Sequence, residues 1–521
     1  MSIEMELSKQ LVIGEVLARN ARKYPDRPIF VIEDQSWTYK EFNERVNHLA
    51  NSLMEMGVGK DDKVAVLFMN DIEIMESYYA IAKTGGVIVP LNFRLNGAEL
   101  QYQIDYADVK VVILSSLFGP VIDPVRKDLP KVENYIMTGD GILEGALAYE
   151  DTLRKGAPDE PLVLIDDEDP AAIVFTAGTT GLPKGAVLSH KNLSVMAGSI
   201  GTEFGLPKGA SQILVFPIFH SSGTVLTYVT IYAGGTIVMV PLTKLDPETI
   251  LSTIEKEKIY WGAMVPTLWN AVVSYPESKK FDLSSFKFAV SGAAPMPTEM
   301  KKRITELFPN IPGISDFFSQ TETSTLTIPS DPADTLINAA TIGKDPILAI
   351  EVRLVDINDN DVPVGTPGEA VFRGPTVFKE YYKNPSETAK AFKNGWFHSG
   401  DVLVQDEDGY FYVIDRIKDI IITGGENVST IEVENVLSTH PKIYESAIIG
   451  VPHEKWGETV KAVIVLKSDV EATAQEIIDF SRDKLAHYKA PTIVEFVSEL
   501  PRNVAGKILK FKLREDHATN S

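Results

Sequence analysis

The chain has 521 residues, more than one ordinary hydrophobic core holds, so at least two domains are expected. The absence of cysteine excludes disulfides, a cysteine nucleophile and thiolate metal sites, and a formal net charge of −22 argues against nucleic-acid binding through a broad basic face. A composition of 44% hydrophobic and 23% charged residues, no apolar stretch long enough for a bilayer and an acidic start unlike a signal peptide together predict a cytoplasmic location.

The first half of the chain alternates helical and strand-like patterns. The sequence Thr38-Tyr39-Lys40-Glu41 is a capping box, and the apolar residues after it recur at helical spacing as far as Met56. Residues 72–83 also predict a helix, which ends before Gly85. Because strands alternate with helices, the pattern predicts βαβ units and a largely parallel sheet. The predicted strands are 64–68, 87–89, 109–114, 171–175, 213–216 and 236–240.

Around residues 351–420 helical periodicity becomes sparse. Strand-like segments at 351–355 and 369–373 are joined by turns, which predicts an antiparallel or barrel-like subdomain. After Arg416 a smaller α+β unit follows, with capping boxes that begin at Ser429 and Thr473. Its predicted strands are 446–449, 462–466 and 493–497. We therefore expect a large α/β N-terminal domain, 1–416, and a small α+β C-terminal domain, 417–521.

Residues 176–185 read Thr-Ala-Gly-Thr-Thr-Gly-Leu-Pro-Lys-Gly and directly follow the strand predicted at 171–175. Glycines let backbone N–H groups approach an anion, hydroxyls donate to it and an ammonium offsets its charge, so the loop predicts a polyphosphate site. It differs from the usual nucleoside-triphosphate loop, because Pro183 precedes Lys184 and Gly185 follows it. The candidate phosphate contacts are Thr176, Gly178, Thr179, Thr180, Gly181 and Lys184.

This loop resembles the signature loop of the adenylate-forming superfamily, which includes acyl-CoA synthetases, aryl-CoA ligases, luciferases and amino-acid-activating domains. Ala177 stands where Ser or Gly is commoner in that family, which removes one possible hydroxyl donor. The resemblance implies a large N-terminal domain of βαβ layers with a β-barrel-like subdomain and a small mobile C-terminal domain. It also implies ATP, magnesium and coenzyme A as cofactors or cosubstrates.

Residues 316–322, Asp-Phe-Phe-Ser-Gln-Thr-Glu, resemble the family's Tyr-Gly-x-Thr-Glu element. By that resemblance Phe318 stacks on adenine, Thr321 contacts the α-phosphate and Glu322 holds magnesium, since a dication that bridges phosphates favours carboxylate oxygen. Ser319 stands for the commoner Gly, and Phe318 for the commoner Tyr. Other nucleotide contacts implied by this element and by the loop Ser291-Gly292-Ala293-Ala294-Pro295 are Asp316, Phe317, Ala293, Ala294 and Pro295.

Three later motifs complete the family order. Trp396-Phe397-His398-Ser399-Gly400-Asp401 resembles Trp-x-x-Thr-Gly-Asp, in which Asp401 accepts from both ribose hydroxyls. Residues 415–419 resemble the interdomain hinge, which implies that Arg416 reaches ribose or phosphate and that Lys418 is the hinge. Gly424 and Gly425 resemble the glycines that help to line the pantetheine tunnel of CoA ligases.

Two further residues are predicted to act on the acid. Residues 501–510 resemble Pro-x-x-x-x-Gly-Lys-x-x-(Lys/Arg), which makes Lys507 the candidate catalytic lysine, placed between the carboxylate and the phosphate. Phe216-Pro217-Ile218-Phe219-His220 resembles the Pro-x-x-His element beside the acyl pocket, where His220 gates the pocket or contacts the acyl-adenylate. Taken singly, these motifs also fit a solvated tail and a core histidine; their order along the chain favours function.

The resemblance predicts an AMP-forming acyl- or aryl-CoA ligase whose partners are a small carboxylic acid, ATP and CoA. A luciferase-like enzyme, an acyl-adenylating enzyme with a different acceptor and a non-catalytic ATP-binding regulator stay open as alternatives. An amino-acid-activating domain normally has an aspartate near the Pro-x-x-His element, but no acid occurs from Phe216 to Thr224. Aromatic, alicyclic and medium-chain acids fit the sequence equally well, and a homodimer is compatible with it.

Overall fold

The computed structural model describes residues 3–7, 9–139, 143–176, 182–292, 296, 298–338, 340–502 and 508–520. The chain forms two compact units: Met1–Val352 with Phe372–Phe397, and Arg353–Val371 with His398–Ser521. Both units combine sheets with helices, so the predicted α/β class is confirmed.

Strands and helices are numbered here in chain order. The strands are β1 (Pro28–Ile32), β2 (Gln35–Thr38), β3 (Lys63–Leu67), β4 (Val87–Pro90), β5 (Val109–Ser115), β6 (Asn134–Thr138), β7 (Leu147–Ala148), β8 (Pro170–Thr176), β9 (Lys184–Ser189), β10 (Ser211–Leu214), β11 (Thr236–Met239), β12 (Trp261–Met264), β13 (Phe288–Ser291), β14 (Ile314–Gln320), β15 (Thr325–Pro329), β16 (Glu351–Val355), β17 (Gly368–Arg373), β18 (Glu380–Tyr381), β19 (Phe392–Lys393), β20 (Trp396–Gln405), β21 (Phe411–Arg416), β22 (Ile421–Thr423), β23 (Glu426–Val428), β24 (Ile443–His453), β25 (Gly457–Leu466) and β26 (Ile493–Phe496). The helices are α1 (Ile3–Leu7), α2 (Ile13–Lys23), α3 (Tyr39–Glu55), α4 (Ile72–Thr84), α5 (Gly97–Tyr106), α6 (Gly119–Ile122), α7 (Tyr149–Lys155), α8 (His190–Glu203), α9 (Ser221–Tyr232), α10 (Pro247–Lys256), α11 (Pro266–Ser274), α12 (Thr298–Leu307), α13 (Pro385–Ala391), α14 (Thr430–Ser438), α15 (Ala474–Arg482) and α16 (Lys510–Asn520).

The larger unit contains two extended sheets. In the first, the described strands follow the order β15-β14-β13-β12-β10-β11-β1-β2, and in the second β18-β9-β8-β4-β3-β5-β6-β7. Neighbouring strands run parallel except at β15 and β2 in the first sheet and at β9 and β18 in the second. The predicted parallel arrangement is therefore confirmed, with antiparallel strands added at the edges.

Two helices of this unit, α3 and α4, begin and end where local sequence predicts. The Thr38 side chain caps α3 by accepting from the Glu41 N–H, while Glu41 Oε2 accepts from the Thr38 N–H at 2.9 Å, so the predicted capping box is confirmed. Asp71 caps α4, and Gly85 ends it at φ +78°, a left-handed conformation that favours glycine. These devices fix the start of both helices relative to the strands beside them.

Burial follows the helical period of α3. Phe42, Val46, Leu49 and Leu53 are all completely buried. Full burial of each such side chain stabilises the fold by about 1.5–3 kcal/mol. The predicted apolar face of the helix is therefore the face that packs on the larger unit's core.

The carboxyl ends of the parallel strands position the candidate site. Open α/β sheets bind ligands at this edge, because the loops there are free to diverge from the strands. The motif that contains His220 follows β10, the loop 291–295 follows β13, and Thr321 and Glu322 follow β14. The predicted phosphate loop leaves the second sheet in the same way, after β8.

The smaller unit carries an antiparallel C-terminal sheet of order β23-β22-β25-β24, with β26 parallel to β25. The prediction placed a strand at 446–449, whereas β24 covers Ile443–His453. Gly450 and Pro452 interrupt the apolar pattern, but the pairing of β24 with β25 continues as far as the partners His453 and Gly457. Cross-strand pairing thus extends this strand beyond the segment that residue types indicate.

The segment with sparse helical periodicity, residues 351–420, contributes to both units. Strands β16, β17, β20 and β19 form one sheet in that order, with β21 beside β20, so the predicted strand-rich region is confirmed. The N-cap residues of α14 and α15 are Ser429 and Thr473, whose side chains accept from the N–H groups of Glu432 and Glu476. Among the described residues, no helix combines the length and the apolarity needed to cross a membrane.

Candidate active site

An antiparallel strand pair holds the two ends of the predicted phosphate loop. Thr176 ends β8, Lys184 begins β9, and the two residues are direct partners in the register. This pairing places Lys184 at the carboxyl end of β8, the edge where α/β sheets bind ligands. Four predicted phosphate contacts lie outside the described residues: Gly178, Thr179, Thr180 and Gly181.

The Lys184 ammonium forms an ion pair with the Glu387 carboxylate on α13. Glu387 also accepts from Lys390 Nζ at 2.7 Å, and the two lysines hold the pKa of the Glu387 carboxyl at about 2. The Lys184 side chain is only 16% exposed, so this is a largely enclosed ammonium with an anionic partner. A phosphate oxygen has the charge and hydrogen-bonding capacity to replace that carboxylate.

Glu322 and Lys184 converge on one aromatic side chain, Tyr381. The Tyr381 hydroxyl donates to Glu322 Oε1 at 2.8 Å. Lys184 Nζ lies 5.1 Å from the centroid of the Tyr381 ring, within range of a cation–π interaction. The fold thus brings a loop lysine and a carboxylate from distant parts of the sequence to the same tyrosine.

Thr321 lies next to the segment that carries His220. It begins the short turn Thr321–Thr323 after β14, and its Oγ1 is 3.4 Å from Ser221 Oγ. Ser221 is the first residue of α9 and directly follows His220. Thr321, after β14, therefore contacts the residue that directly follows His220 in the segment after β10.

The His220 segment is fixed by Asn70. Asn70 Nδ2 donates to the Phe216 carbonyl at 2.6 Å, and its Oδ1 accepts from the Ile218 N–H at 2.9 Å. Burial, together with the nearby Arg94 charge, lowers the pKa of His220 to about 4. Its Nε2 is buried and has no hydrogen-bond partner among the described residues. At neutral pH this imidazole is uncharged and can contact an apolar or polar group of a substrate.

The predicted adenine contacts lie on β14 and beside it. The Phe318 ring stacks with Phe372, with centroids 6.0 Å apart and planes at 22°. The Phe317 ring packs so closely on Gly292 that a Cβ there would lie 2.6 Å from its Cζ. Asp316 forms an ion pair with Lys301 of α12. Ala293, Ala294 and Pro295 lie outside the described residues.

Glu322 is the predicted magnesium ligand. Within the described ranges, no group of three or more His, Cys, Asp or Glu side chains is arranged to hold a metal ion. Mg²⁺ is usually held by one or two carboxylates together with substrate phosphates. A single carboxylate beside the Lys184 ammonium fits a metal that arrives with the triphosphate.

Asp401 and Arg416 are neighbours in the smaller unit. They are register partners on β20 and β21, and Arg416 Nε lies 3.0 Å from Asp401 Oδ1. The Asp401 side chain is only 5% exposed, and the residue before it, Gly400, has φ +72°. This left-handed turn favours glycine and directs the chain so that Asp401 pairs with Arg416.

Lys418 lies two residues beyond Arg416. Burial lowers the pKa of the Lys418 ammonium, and the positive charges of Arg416 and Arg514 add to that effect. Asp419 acts in the opposite direction, and it is itself held by Arg514 at 2.7 Å. The predicted hinge residue is therefore exposed but has charged side chains around it.

Gly424 and Gly425 form the turn between β22 and β23. Their φ angles are +61° and +89°, so both positions favour glycine for conformational reasons alone. A Cβ at Gly424 would lie 2.9 Å from Cε3 of Trp456, whose carbonyl accepts from the Gly424 N–H at 2.8 Å. The turn geometry explains these glycines without a ligand, and their predicted contact with pantetheine stays a prediction.

Lys507 lies outside the described residues. On either side of it, Arg502 and Ile508 form an isolated antiparallel bridge. Lys510, at the start of α16, lies 2.8 Å from Glu434 Oε1 and donates to Thr430 Oγ1 at 2.6 Å. The lysine-bearing segment is thus anchored to α14 at its C-terminal end.

Sequence reasoning missed three residues of this site: Tyr381, Glu387 and Ser221. Tyr381 and Glu387 follow the phosphate loop by about two hundred residues and belong to no motif that was recognised. Ser221 directly follows the Pro-x-x-His element, so its neighbour did provide a signal. The other two become visible only when β18 pairs with β9 and brings α13 to the loop lysine.

Comparison with known proteins assigns the chain to a family. The AMP-binding enzyme family matches residues 17–382, and the family of the AMP-binding enzyme C-terminal domain matches residues 432–507. A loop lysine paired with a carboxylate at the carboxyl end of an α/β sheet suits an anionic ligand such as a nucleotide. The chain belongs to the AMP-binding enzyme family, so the predicted membership of the adenylate-forming enzymes is confirmed.

Relatives over the whole length are named as CoA ligases. A feruloyl-CoA synthase from Amycolatopsis sp. is 33% identical and covers 96% of this chain and 98% of its own. The long-chain-fatty-acid–CoA ligase FadD13 of Mycobacterium tuberculosis is 34% identical, with coverage of 97% and 98%. The structure of the anthranilate CoA ligase AuaEII in complex with anthranoyl-AMP is 29% identical, covers 100% of this chain and 99% of its own, and has a TM-score of 0.89. The enzyme class predicted from the motif order is thereby confirmed.

Proposed function

We propose that this enzyme joins a carboxylic acid to coenzyme A in two steps, with magnesium-bound ATP as the energy source. The observation that carries the proposal is the convergence of Lys184 and Glu322 on Tyr381. An ammonium and a carboxylate that contact the same phenol suit a metal–triphosphate complex, which has both anionic oxygens and a cation to bind. Magnesium held by Glu322 would neutralise part of the negative charge of the phosphates.

In the first step a carboxylate oxygen of the acid attacks the α-phosphorus of ATP. The bond between that phosphorus and the bridging oxygen breaks, and pyrophosphate leaves with the electron pair. Lys184 binds the phosphates and Thr321 contacts the α-phosphate. Lys507 stabilises the negative charge that gathers between the carboxylate and the phosphate. Neutral His220 lies beside the acyl group.

The nucleoside is held by residues outside the phosphate loop. Phe318 stacks on adenine, and the loop 291–295 meets the base and the acyl group. Asp401 accepts hydrogen bonds from the ribose hydroxyls, and Arg416 contacts ribose or phosphate. These roles come from the motif resemblance, and the stacked Phe318–Phe372 pair and the ion pair between Arg416 and the buried Asp401 are compatible with them.

In the second step the thiolate of CoA attacks the acyl carbonyl carbon, the bond to AMP breaks and the thioester forms. The residues after 416 act as a mobile C-terminal domain that turns about Lys418. This rotation withdraws Lys507 and brings Gly424 and Gly425 to the pantetheine arm. One domain thus serves two half-reactions in turn.

A panel of carboxylic acids tests the proposal. Purified enzyme is incubated with ATP, magnesium, CoA and aromatic, alicyclic or aliphatic acids, and AMP, pyrophosphate and thioester are quantified. We expect AMP and thioester in equal amounts with the preferred acid. AMP formation without thioester would indicate a different acceptor, and no AMP with any acid would favour a nucleotide-binding regulator.

A further inference from the structure

Lys301 is a lysine without solvent exposure. It lies on α12, its side chain is completely buried, and its ammonium pairs with the carboxylate of Asp316. An unpaired ammonium in such a place would be strongly destabilising, so the pair is needed wherever the lysine is charged. Asp316 belongs to the strand that carries the predicted adenine contact Phe318.

Only one oxygen of Asp316 is used by this lysine. Lys301 pairs with Oδ2, while Oδ1 is buried and has no hydrogen-bond partner among the described residues. Ser291, the register partner of Asp316 on β13, has a buried hydroxyl in the same condition. Buried polar atoms are nearly always hydrogen-bonded in native proteins, so these two atoms on paired residues are candidates for contact with a ligand.

The position of these atoms relative to Phe318 suggests which ligand. Alternate residues of a strand point to the same face, so Asp316 and Phe318 share a face of β14. Two residues along a strand span about 6.6 Å, comparable to the distance from the middle of a purine to beyond its edge. A base that stacks on Phe318 therefore extends its edge toward Asp316, at the carboxyl end of the parallel strands.

Adenine and guanine present opposite groups at the 6-position of that edge. Adenine has an amino group, which donates, and guanine has a carbonyl oxygen, which accepts. An ionised carboxylate only accepts, so it selects the amino group and repels the carbonyl. A protonated carboxyl would lose this selectivity.

The environment of Asp316 makes its charge dependent on Lys301. Burial raises the pKa of the Asp316 carboxyl, and the charge and hydrogen bond of Lys301 act in the opposite direction. Without that lysine, burial alone would favour the neutral acid. The lysine also restrains the carboxylate, because it engages Oδ2.

We propose that Lys301 is a positioning residue for nucleotide selection: its ion pair with Oδ2 orients the Asp316 carboxyl group so that Oδ1 accepts a hydrogen bond from the 6-amino group of adenine. This inference depends on the proposed function, since it assumes that the base stacks on Phe318. It assigns to a buried structural lysine the choice of ATP over nucleotides that lack a 6-amino donor.

The first test compares ATP with purine riboside triphosphate, which lacks only the 6-amino group. Pyrophosphate exchange is measured with both nucleotides for the wild type, Lys301→Met and the exposed neighbour Lys302→Met as a matched control. We expect Lys301→Met to raise KM for ATP about tenfold while KM for the analogue stays within twofold, because a charge-assisted hydrogen bond is lost only with ATP. Lys302→Met should match the wild type with both.

The second test restores selection without the charge. Asp316→Asn leaves Lys301 buried without its anion, whereas Lys301→Met with Asp316→Asn has neither charge and still has an amide oxygen to accept from adenine. We expect the double variant to recover most of the ATP affinity that Lys301→Met loses. It should also use GTP better than the wild type does, because the amide can turn its N–H₂ group toward the guanine carbonyl.

The outcomes distinguish a role of Lys301 in nucleotide selection from a purely structural role. If Lys301→Met raises KM for ATP and for the analogue equally, or if the double variant is no better than Lys301→Met, the inference is overturned and the lysine is only structural. Thermal unfolding of each variant identifies loss of folded protein, and the KM ratio of the two nucleotides is unaffected by such a loss. Absence of wild-type exchange with every acid would instead refute the proposed function.

Discussion

The hydroxyl of Tyr381 donates a hydrogen bond to Glu322 Oε1, and the ring of the same tyrosine lies 5.1 Å from Lys184 Nζ. One buried phenol thus orients the predicted magnesium ligand and faces the loop lysine. The contacts join strands β18 and β9 of one sheet to the turn that follows β14 of the other. Loss of the hydroxyl should therefore weaken the binding of magnesium and of ATP together.

Tyr381→Phe removes that hydroxyl and keeps the ring. A hydrogen bond to a charged group contributes about 1.5–3 kcal/mol, so we expect KM for Mg-ATP to rise about tenfold or more. Pyrophosphate exchange at several magnesium concentrations measures the change. Tyr382→Phe is the matched control, since the Tyr382 hydroxyl donates to Asp108 at 3.0 Å instead. Equal behaviour of the two variants would contradict a specific role for Tyr381.

Glu387→Gln removes the carboxylate that pairs with Lys184. The triphosphate has to displace this carboxylate, so its loss should lower KM for ATP about threefold or more. Because the pKa of Glu387 is held at about 2, the competing carboxylate is ionised over the whole assay range and the effect should not vary between pH 6 and 9. Lys390→Met, which keeps the pair, serves as control. A raised KM in Glu387→Gln would show that Glu387 helps to bind the nucleotide.

The buried side chain of His190 should make the stability of the fold depend on pH. It is completely buried at the start of α8, and neither ring nitrogen has a hydrogen-bond partner among the described residues. Burial lowers the pKa of His190 to about 4, although Asp169 acts in the opposite direction. Between about pH 6.5 and 4 the unfolded chain binds a proton that the folded chain does not, so stability falls as the pH falls.

By this linkage, the change from pH 8 to pH 5 lowers the free energy of unfolding by about 2 kcal/mol through His190 alone. His190→Leu should remove that part of the pH dependence, measured as the urea midpoint at both pH values. His487→Leu, at an exposed histidine, should keep the wild-type slope. If His190→Leu has the same slope as the wild type, burial does not lower the pKa of His190 in the folded protein.

Two substitutions separate the half-reactions. Lys418→Pro restricts the backbone at the proposed hinge, so it should spare pyrophosphate exchange and block thioester formation. Lys507→Ala should cripple adenylation, while thioester formation from supplied acyl-adenylate survives. Each half-reaction is assayed separately in both variants. Equal loss of both half-reactions in Lys418→Pro, or wild-type adenylation in Lys507→Ala, would refute the corresponding assignment.

Several elements of the larger unit were predictable from the sequence, because their signals are local. The capping box at Thr38, the glycine stop at Gly85 and the apolar runs of β3 to β5 each depend on neighbouring residues. Strand lengths were less predictable: β24 extends through Gly450 and Pro452 because its partner β25 continues the pairing. Pairing depends on residues far away in the chain, and local propensity does not record it.

The site followed the same rule. Glu322 and the loop lysine were recognisable from motifs, but Tyr381, Glu387 and Lys301 were not. Each of these three acts through a contact with a residue far away in the sequence, and a Tyr, Glu or Lys in isolation has many ordinary uses. Only the pairing of β18 with β9 and the packing of α12 beside β14 give those side chains their partners.

The hinge region has one more contact whose effect extends beyond its own strand. Asp415 Oδ2 accepts from the Thr430 N–H at 2.5 Å and from Thr430 Oγ1 at 2.8 Å, and Lys510 Nζ donates to that same hydroxyl. If the chain turns at Lys418, Asp415 and Thr430 lie on opposite sides of the pivot and must separate. The lifetime of these hydrogen bonds among carboxylate, hydroxyl and ammonium would then govern how often the C-terminal domain changes between its adenylating and its thioester-forming orientation. Weakening these hydrogen bonds should speed the change of orientation and leave the chemistry of both half-reactions unchanged.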